Sequence, residues 1–366
     1  MKKIICIMLS ILLLTSLLLV GCQSNEKIKV AYVAGITGNL SELGIYGRNA
    51  FLLKVNEVNN NGGIDGRLIE PVIYDDLNDP GMIEEIYFDI RENDIEFVVG
   101  HILSALAEPV LIEAESDDVL IFSPTMSTQL IDNFDDNLIR SCTSNSLQGQ
   151  KMASIVSLDQ RKSVLVVTDQ RNATYSNEFA ETYRNHYEGA TKIIQYLPDD
   201  GSIETVLTEI ESGNYDALIM VTPALDTALL SQKTKLMDES MNLYSVSWSM
   251  TSDLIANGGQ HVEGLKLVYQ NTDVLYKNES EKFYDAYFDE YNEKSNFVGE
   301  ITYEATAILF EAMSESSSLT PENVKKNIIN RTFEGLSGLI EINEFGDRPG
   351  IYSTYIVEEG EFIQID

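Results

Sequence analysis

Two short segments carry the residue types best suited to hold a small polar molecule. Gly100-His101-Ile102-Leu103-Ser104 follows the apolar run Phe97-Val98-Val99, and Ser123-Pro124-Thr125-Met126-Ser127-Thr128 follows Leu120-Ile121-Phe122. Each sets a hydroxyl where a strand hands over to a helix. A side chain placed there caps the helix and leaves neighbouring N–H groups facing outward, an arrangement that holds anions. In an open parallel sheet ligands bind beyond the carboxyl ends of the strands, which is where both loops lie. The glycine-punctuated stretch 35–44, after the strand Val30-Ala31-Tyr32-Val33, offers a third cradle of the same kind. A fourth loop, Asp169-Gln170-Arg171-Asn172-Ala173-Thr174-Tyr175, follows an apolar strand at 164–168 and contributes an aromatic ring, either as a ligand contact or as packing.

Catalytic chemistry has little to stand on. His101, His186 and His261 are scattered without metal-ligand spacing, and none accompanies a nucleophile elbow or a zinc-binding helix. Gly335-Leu336-Ser337-Gly338 has the wrong spacing for that elbow and fits a turn. The acids at Asp75-Asp76 and in 132–136 read as turn and cap residues rather than cation ligands. No phosphate-binding Walker motif is present. The expectation is a binding protein with no catalytic residue, no metal and no cofactor.

The elements that position these loops alternate along the whole chain. Strands are expected at 28–33, 68–74, 97–99 and 120–122, and again at 164–168, 192–196, 217–221, 243–246 and 265–269. Helices fall near 47–58, 82–91, 105–115, 280–291, 301–313 and 321–329. Short apolar strands alternating with helices predict an α/β fold: two doubly wound parallel-sheet lobes.

The N-terminus carries a targeting signal. Met1-Lys2-Lys3 precedes an apolar run to Val20, too short and too weakly flanked for a permanent span. Leu19-Val20-Gly21-Cys22 resembles a bacterial lipobox, which implies removal of residues 1–21, lipidation of Cys22 and a short tether over 22–27. Acyl chains stabilise membrane attachment by about 0.8 kcal/mol per buried CH₂. Cys6 leaves with the signal, so Cys142 remains without a disulfide partner and reads as a small buried hydrophobe. With 58 acidic against 25 basic residues the net charge is −33, which repels nucleic acid and anionic headgroups.

One pattern points to a family. Asn56-x-x-Asn59-x-x-Gly62-Gly63-Ile64-x-Gly66, followed by an apolar strand and Asp75-Asp76, resembles the type I periplasmic-binding-protein fold, in particular the substrate-binding proteins of branched-chain amino-acid ABC transporters. The closing stretch 335–348 is similar too. The resemblance implies a three-crossover hinge, with crossings near 141–146, 270–273 and 334–337. Lobe one would then comprise 28–143 plus 274–336, and lobe two 144–273 plus 337–366. It also implies that Ser104 and Ser127 hold a substrate carboxylate, that Thr125 contributes its backbone, and that the Tyr175 ring covers the ligand.

Two departures bear on the ligand. Where relatives often place an acid to pair with the ligand ammonium, this chain reads Ser245-Val246-Ser247-Trp248-Ser249. Trp248 would supply an apolar or cation–π wall, or be buried in the core. Glu300 would replace the missing acid, or serve as a helix N-terminal glutamate favoured by the dipole. Leu43 stands where relatives often carry an aromatic, so the ligand is expected to be less amino-acid-like than the family's name. The resemblance implies a monomeric, extracytoplasmic, lipid-anchored protein that captures a small polar ligand for an ABC permease. The alternatives are a sensory module of the same fold and, from another class, an enzyme.

Overall fold

A computed structural model describes residues 26–366 apart from 39, 116–118, 199–200 and 271–276. Cys22, the signal at 1–21 and part of the crossing expected at 270–273 therefore lie outside the described residues. No helix among those described is long and apolar enough to cross a membrane.

The first lobe is built on five parallel strands: β1 (Ile28–Ala34), β2 (Ile69–Asp75), β3 (Phe97–Gly100), β4 (Leu120–Ser123) and β5 (Leu138–Arg140), in the order β2-β1-β3-β4-β5. β1 and β4 read as continuous apolar runs because helices cover both faces, so almost every side chain is buried. β1 lies inside the sheet, second from one edge, and the order reverses across it. The loops after β1 and β3 therefore diverge, opening a crevice at their carboxyl ends.

The second lobe repeats this arrangement. β6 (Ser163–Asp169), β7 (Ala190–Tyr196), β8 (Ala217–Val221), β9 (Asn242–Val246) and β10 (Lys266–Gln270) run parallel in the order β7-β6-β8-β9-β10. Two antiparallel strands, β13 (Tyr352–Glu358) and β14 (Glu361–Gln364), extend that sheet beyond β10. They were not expected from sequence. β13 is buried along most of its length, and its pairing partner lies more than eighty residues away.

Two expectations change on inspection of the chain path. Residues 35–44 are not all loop, since a helix spans Ser41–Asn60 and takes in Gly44 and Gly47. Those glycines let the helix settle on β1: a Cβ on Gly44 would sit 2.1 Å from the Gly35 carbonyl oxygen, and one on Gly47 would sit 2.3 Å from the Tyr32 hydroxyl. Tyr32 Oη donates to the Gly44 carbonyl at 2.9 Å, sealing that contact. The preceding loop is tied down by Asp75, which accepts from Ile36 N at 3.0 Å and from Thr37 Oγ1 at 2.6 Å. Those hydrogen bonds hold the Asp75 carboxyl below its ordinary pKa. Residues 334–337, expected as the third crossing, instead connect a hairpin, β11 (Arg331–Glu334) with β12 (Leu339–Ile342). Beyond it the Gly346 carbonyl accepts from Arg140 N at 3.0 Å, beside β5, and the chain enters the second sheet only at Tyr352.

Candidate functional site

The lobe-one wall consists of the two loops after β3 and β4, stitched to each other. Gly100 has a φ of +140°, and a Cβ there would lie 2.1 Å from the Val33 carbonyl oxygen, so only glycine fits. Next to it His101 is fully buried, with Nδ1 2.7 Å from Asp76 Oδ2 and Nε2 3.3 Å from the Tyr87 hydroxyl. Ser123 Oγ donates to the His101 carbonyl at 2.7 Å, and Thr125 Oγ1 donates to the Ile102 carbonyl at 2.8 Å. Ser127 N donates to Ser104 Oγ at 3.3 Å. The Thr125 hydroxyl proton is thus spent on the backbone. The hydroxyl protons of Ser104 and Ser127 meet no acceptor among the described residues.

The lobe-two wall begins after β6. Asp169 Oδ1 accepts from Arg171 N at 2.8 Å, and the Arg171 guanidinium bridges Asp169 and Asp226, offsetting one of their two negative charges. Tyr175 lies in the first turn of the helix Ala173–His186. Its hydroxyl donates to Gln148 Oε1 at 2.5 Å, its carbonyl accepts from Asn145 Nδ2 at 2.8 Å, and burial pushes its pKa up. Its ring meets the Trp248 ring edge-on, 5.9 Å between centroids and at 84°. The Trp248 indole N–H is buried with no hydrogen-bond partner.

Between the walls lies a narrow cleft whose lining includes Ser104, Thr125, Ser127, Tyr175 and Trp248, five of the six expected ligand contacts. Glu300 is the exception. Phe297, Val298 and Ile301 of the helix Phe297–Ser314 line the cleft, and Glu300 faces away from it. Its carboxylate accepts from Tyr284 Oη at 2.7 Å and from the Ser337 hydroxyl. Burial and the neighbouring Glu304 push it up to about 7. The lining also includes residues sequence reasoning passed over. Tyr269 and Gln270 end β10, where the rule about carboxyl strand ends would have found them, whereas Tyr352 opens an antiparallel strand and gave no such signal. Cys142 is in the floor, its thiol pushed up to about 11 by burial and therefore unreactive.

Contacts already join the lobes beside the cleft. Ala105 N donates to Asn172 Oδ1 at 3.0 Å. Glu178 accepts from Thr128 Oγ1 at 2.6 Å and from Gln129 N at 3.0 Å. These contacts run from the lobe-one loops after β3 and β4 to the N-cap and first turns of the helix Ala173–His186. Among the described residues, none that lines the cleft is charged.

Comparison with known proteins accords with this architecture. Residues 27–358 match the family described as periplasmic binding protein. A leucine-, isoleucine-, valine-, threonine- and alanine-binding protein of Pseudomonas aeruginosa is 21% identical over 331 residues, 89% of this chain and 88% of that protein. Among solved structures, the branched-chain amino-acid transporter substrate-binding protein LivJ of Streptococcus pneumoniae, in complex with isoleucine, superposes with a TM-score of 0.83 at 18% identity, covering 93% of this chain and 100% of that one. A solute-binding protein of an R. palustris ABC transporter, in complex with benzoate, superposes with a TM-score of 0.81 at 16% identity over 93% and 96% of the two chains. With a family match spanning nearly the whole described chain, and two like-ordered parallel sheets facing each other across a cleft, the protein belongs to the periplasmic binding protein family, in its two-lobed type I form.

Proposed function

We propose that this is the extracytoplasmic solute-binding component of an ABC importer, which captures a small polar ligand, an amino acid or a related carboxylate or amide, by hinge closure. The observation that carries this reading is the uncharged cleft to which both lobes contribute: Ser104, Thr125 and Ser127 from one, Tyr175 and Trp248 from the other. A ligand touching both walls favours the closed arrangement by its differential contacts, and a permease distinguishes the lobes' closed shape from the open one. Relatives are named as binding proteins, which supports capture rather than turnover. Residues 28–143 with the helices from 277 and the β11–β12 hairpin, and 144–270 with β13 and β14, form the two moving bodies.

The test begins with a thermal-shift panel of amino acids, amides, short peptides and carboxylates. A ligand at about 100 times its Kd stabilises by roughly 2.7 kcal/mol. The strongest hit should reduce the radius of gyration in small-angle scattering. Ser104→Ala and Ser127→Ala should each weaken its calorimetric affinity by roughly 1–3 kcal/mol with little change in fold, the cost of one hydrogen bond to a charged group. Tight binding without compaction, or unchanged affinity in both variants, would remove the hinge and reduce the serines to caps.

The lipobox at 19–22 supports a membrane anchor through Cys22. Intact-mass measurement of the processed protein should show acyl chains on Cys22 and none in Cys22→Ser. An unacylated, processed parent would rule the anchor out.

A further inference from the structure

We propose that the cleft takes a small monocarboxylate with an aliphatic or aromatic body and no ammonium group. This rests on reading the cleft as the ligand site, and it follows from the balance of donors, acceptors and charge on its walls. Among the described residues that line the cleft, side-chain protons without an acceptor include the Ser104 and Ser127 hydroxyls, the Trp248 indole N–H and the amides of Gln270 and Asn172, the Asn172 oxygen being occupied by Ala105 N. A carboxylate accepts from such groups in charge-assisted hydrogen bonds and needs nothing else from them.

An ammonium finds no carboxylate among the described residues that line the cleft. It carries three donors and a charge, and burying it without a counter-charge costs more than neutral hydroxyl oxygens return. Among the described residues, the acids on elements that border the cleft are engaged elsewhere or open on other surfaces. Glu300 is turned toward Tyr284 and Ser337, and Glu304 accepts from Leu336 N at 2.7 Å. Asp169 is held by Arg171. Glu42 lines the adjoining hollow with Arg171 and Asp226 rather than the cleft itself. The remainder of the lining suits an apolar body: Leu43, Ile102, Phe297, Val298 and Ile301, with the rings of Tyr269 and Tyr352. The net charge of −33 does not forbid an anion, because surface carboxylates are screened beyond about 8 Å at physiological ionic strength.

Matched pairs differing only in the amino group test this directly. The full-length processed protein is titrated calorimetrically with L-leucine and 4-methylpentanoate, and with L-phenylalanine and 3-phenylpropanoate. The amine-free member should bind at least tenfold tighter in at least one pair, and its primary amide should bind more weakly than the acid. Trp248→Phe, measured under conditions where circular dichroism shows it folded, should weaken the acid severalfold. An amino acid binding more tightly than its amine-free partner in both pairs would overturn the proposal and leave the solute-binding reading intact. No binding by either pair at millimolar concentration would also overturn it, and only a silent thermal-shift panel would extend that failure to the solute-binding reading.

Discussion

Replacing Arg140 by methionine should destabilise the protein by about 3–5 kcal/mol, read as a lowered urea midpoint, because it strips a buried guanidinium from the acids built around it. Arg140 is 3% exposed. Its Nε donates to Asp347 Oδ1 at 2.8 Å, Nη1 donates to the Thr128 carbonyl at 3.0 Å, and Nη2 pairs with Asp132. Asp132 and Asp347 keep some contact with solvent, so part of the loss is recovered by hydration and the lower end of the range is expected. Arg140→Lys keeps the charge and loses the fork, and should fall between parent and methionine. The effect reaches the site, since Thr128 follows Ser127 and caps the short turn after it. A loss below about 1 kcal/mol in the methionine variant would show that the two aspartates rehydrate fully and that the pair is no keystone.

Glu300→Gln should flatten the pH dependence of stability. Burial first, then the Glu304 carboxylate, push Glu300 up to about 7 from an ordinary 4.5, whereas Tyr284 and Arg348 pull it down. Its neighbour Glu304 is raised as well, chiefly by burial, with Arg348 opposing. The folded state therefore binds a proton that the unfolded state has released between about pH 4.5 and 7. Stability from this group is complete below the unfolded value and is lost as pH rises through the folded one. The change is roughly 3 kcal/mol at the usual 1.36 kcal/mol per pKa unit. Urea unfolding of parent and variant at pH 5, 6, 7 and 8 isolates it, because the background from surface carboxylates cancels in the difference. Parallel curves would mean that Glu300 stays ionised in the folded protein. Since Ser337 donates to Glu300 and Leu336 N to Glu304, the same protonation sets how firmly the β11–β12 connection is held.

The loops that sequence made legible are those where two periodicities meet. Apolar runs of three or four residues ending in Gly or Ser announced β3 and β4, and with them Ser104, Thr125 and Ser127. Tyr175 and Trp248 were legible for the same reason, each following a strand of the second sheet. Glu300 was misplaced because a helix of thirteen buried residues does not reveal its phase. Phe297 and Ile301 form one i, i+4 stripe facing the cleft, while Glu300 and Glu304 form another facing the hairpin connection. An acid in an otherwise apolar first turn looked like a ligand residue, and the packing of distant segments decided otherwise. Gly44 misled in the opposite sense: a glycine that read as loop sits inside a helix, where it lets that helix settle against the end of β1. Tyr352 was out of reach, since antiparallel addition of β13 to β10 depends on where the chain returns.

The position of β1 has a mechanical consequence. Its carboxyl end opens on the cleft, so its amino end, where the chain enters at Glu26 and Lys27, lies at the opposite pole of the lobe. β1 is flanked on both sides, paired with β2 through seven residue pairs from Ile28↔Ile69 to Ala34↔Asp75 and with β3 through three. A pull applied through the N-terminus runs along this strand and across its ladder hydrogen bonds, which are strained together in shear instead of being unzipped in turn. If the proposed anchor holds the molecule at this end, the load is shared over a whole sheet, and the cleft at the opposite end is left unencumbered.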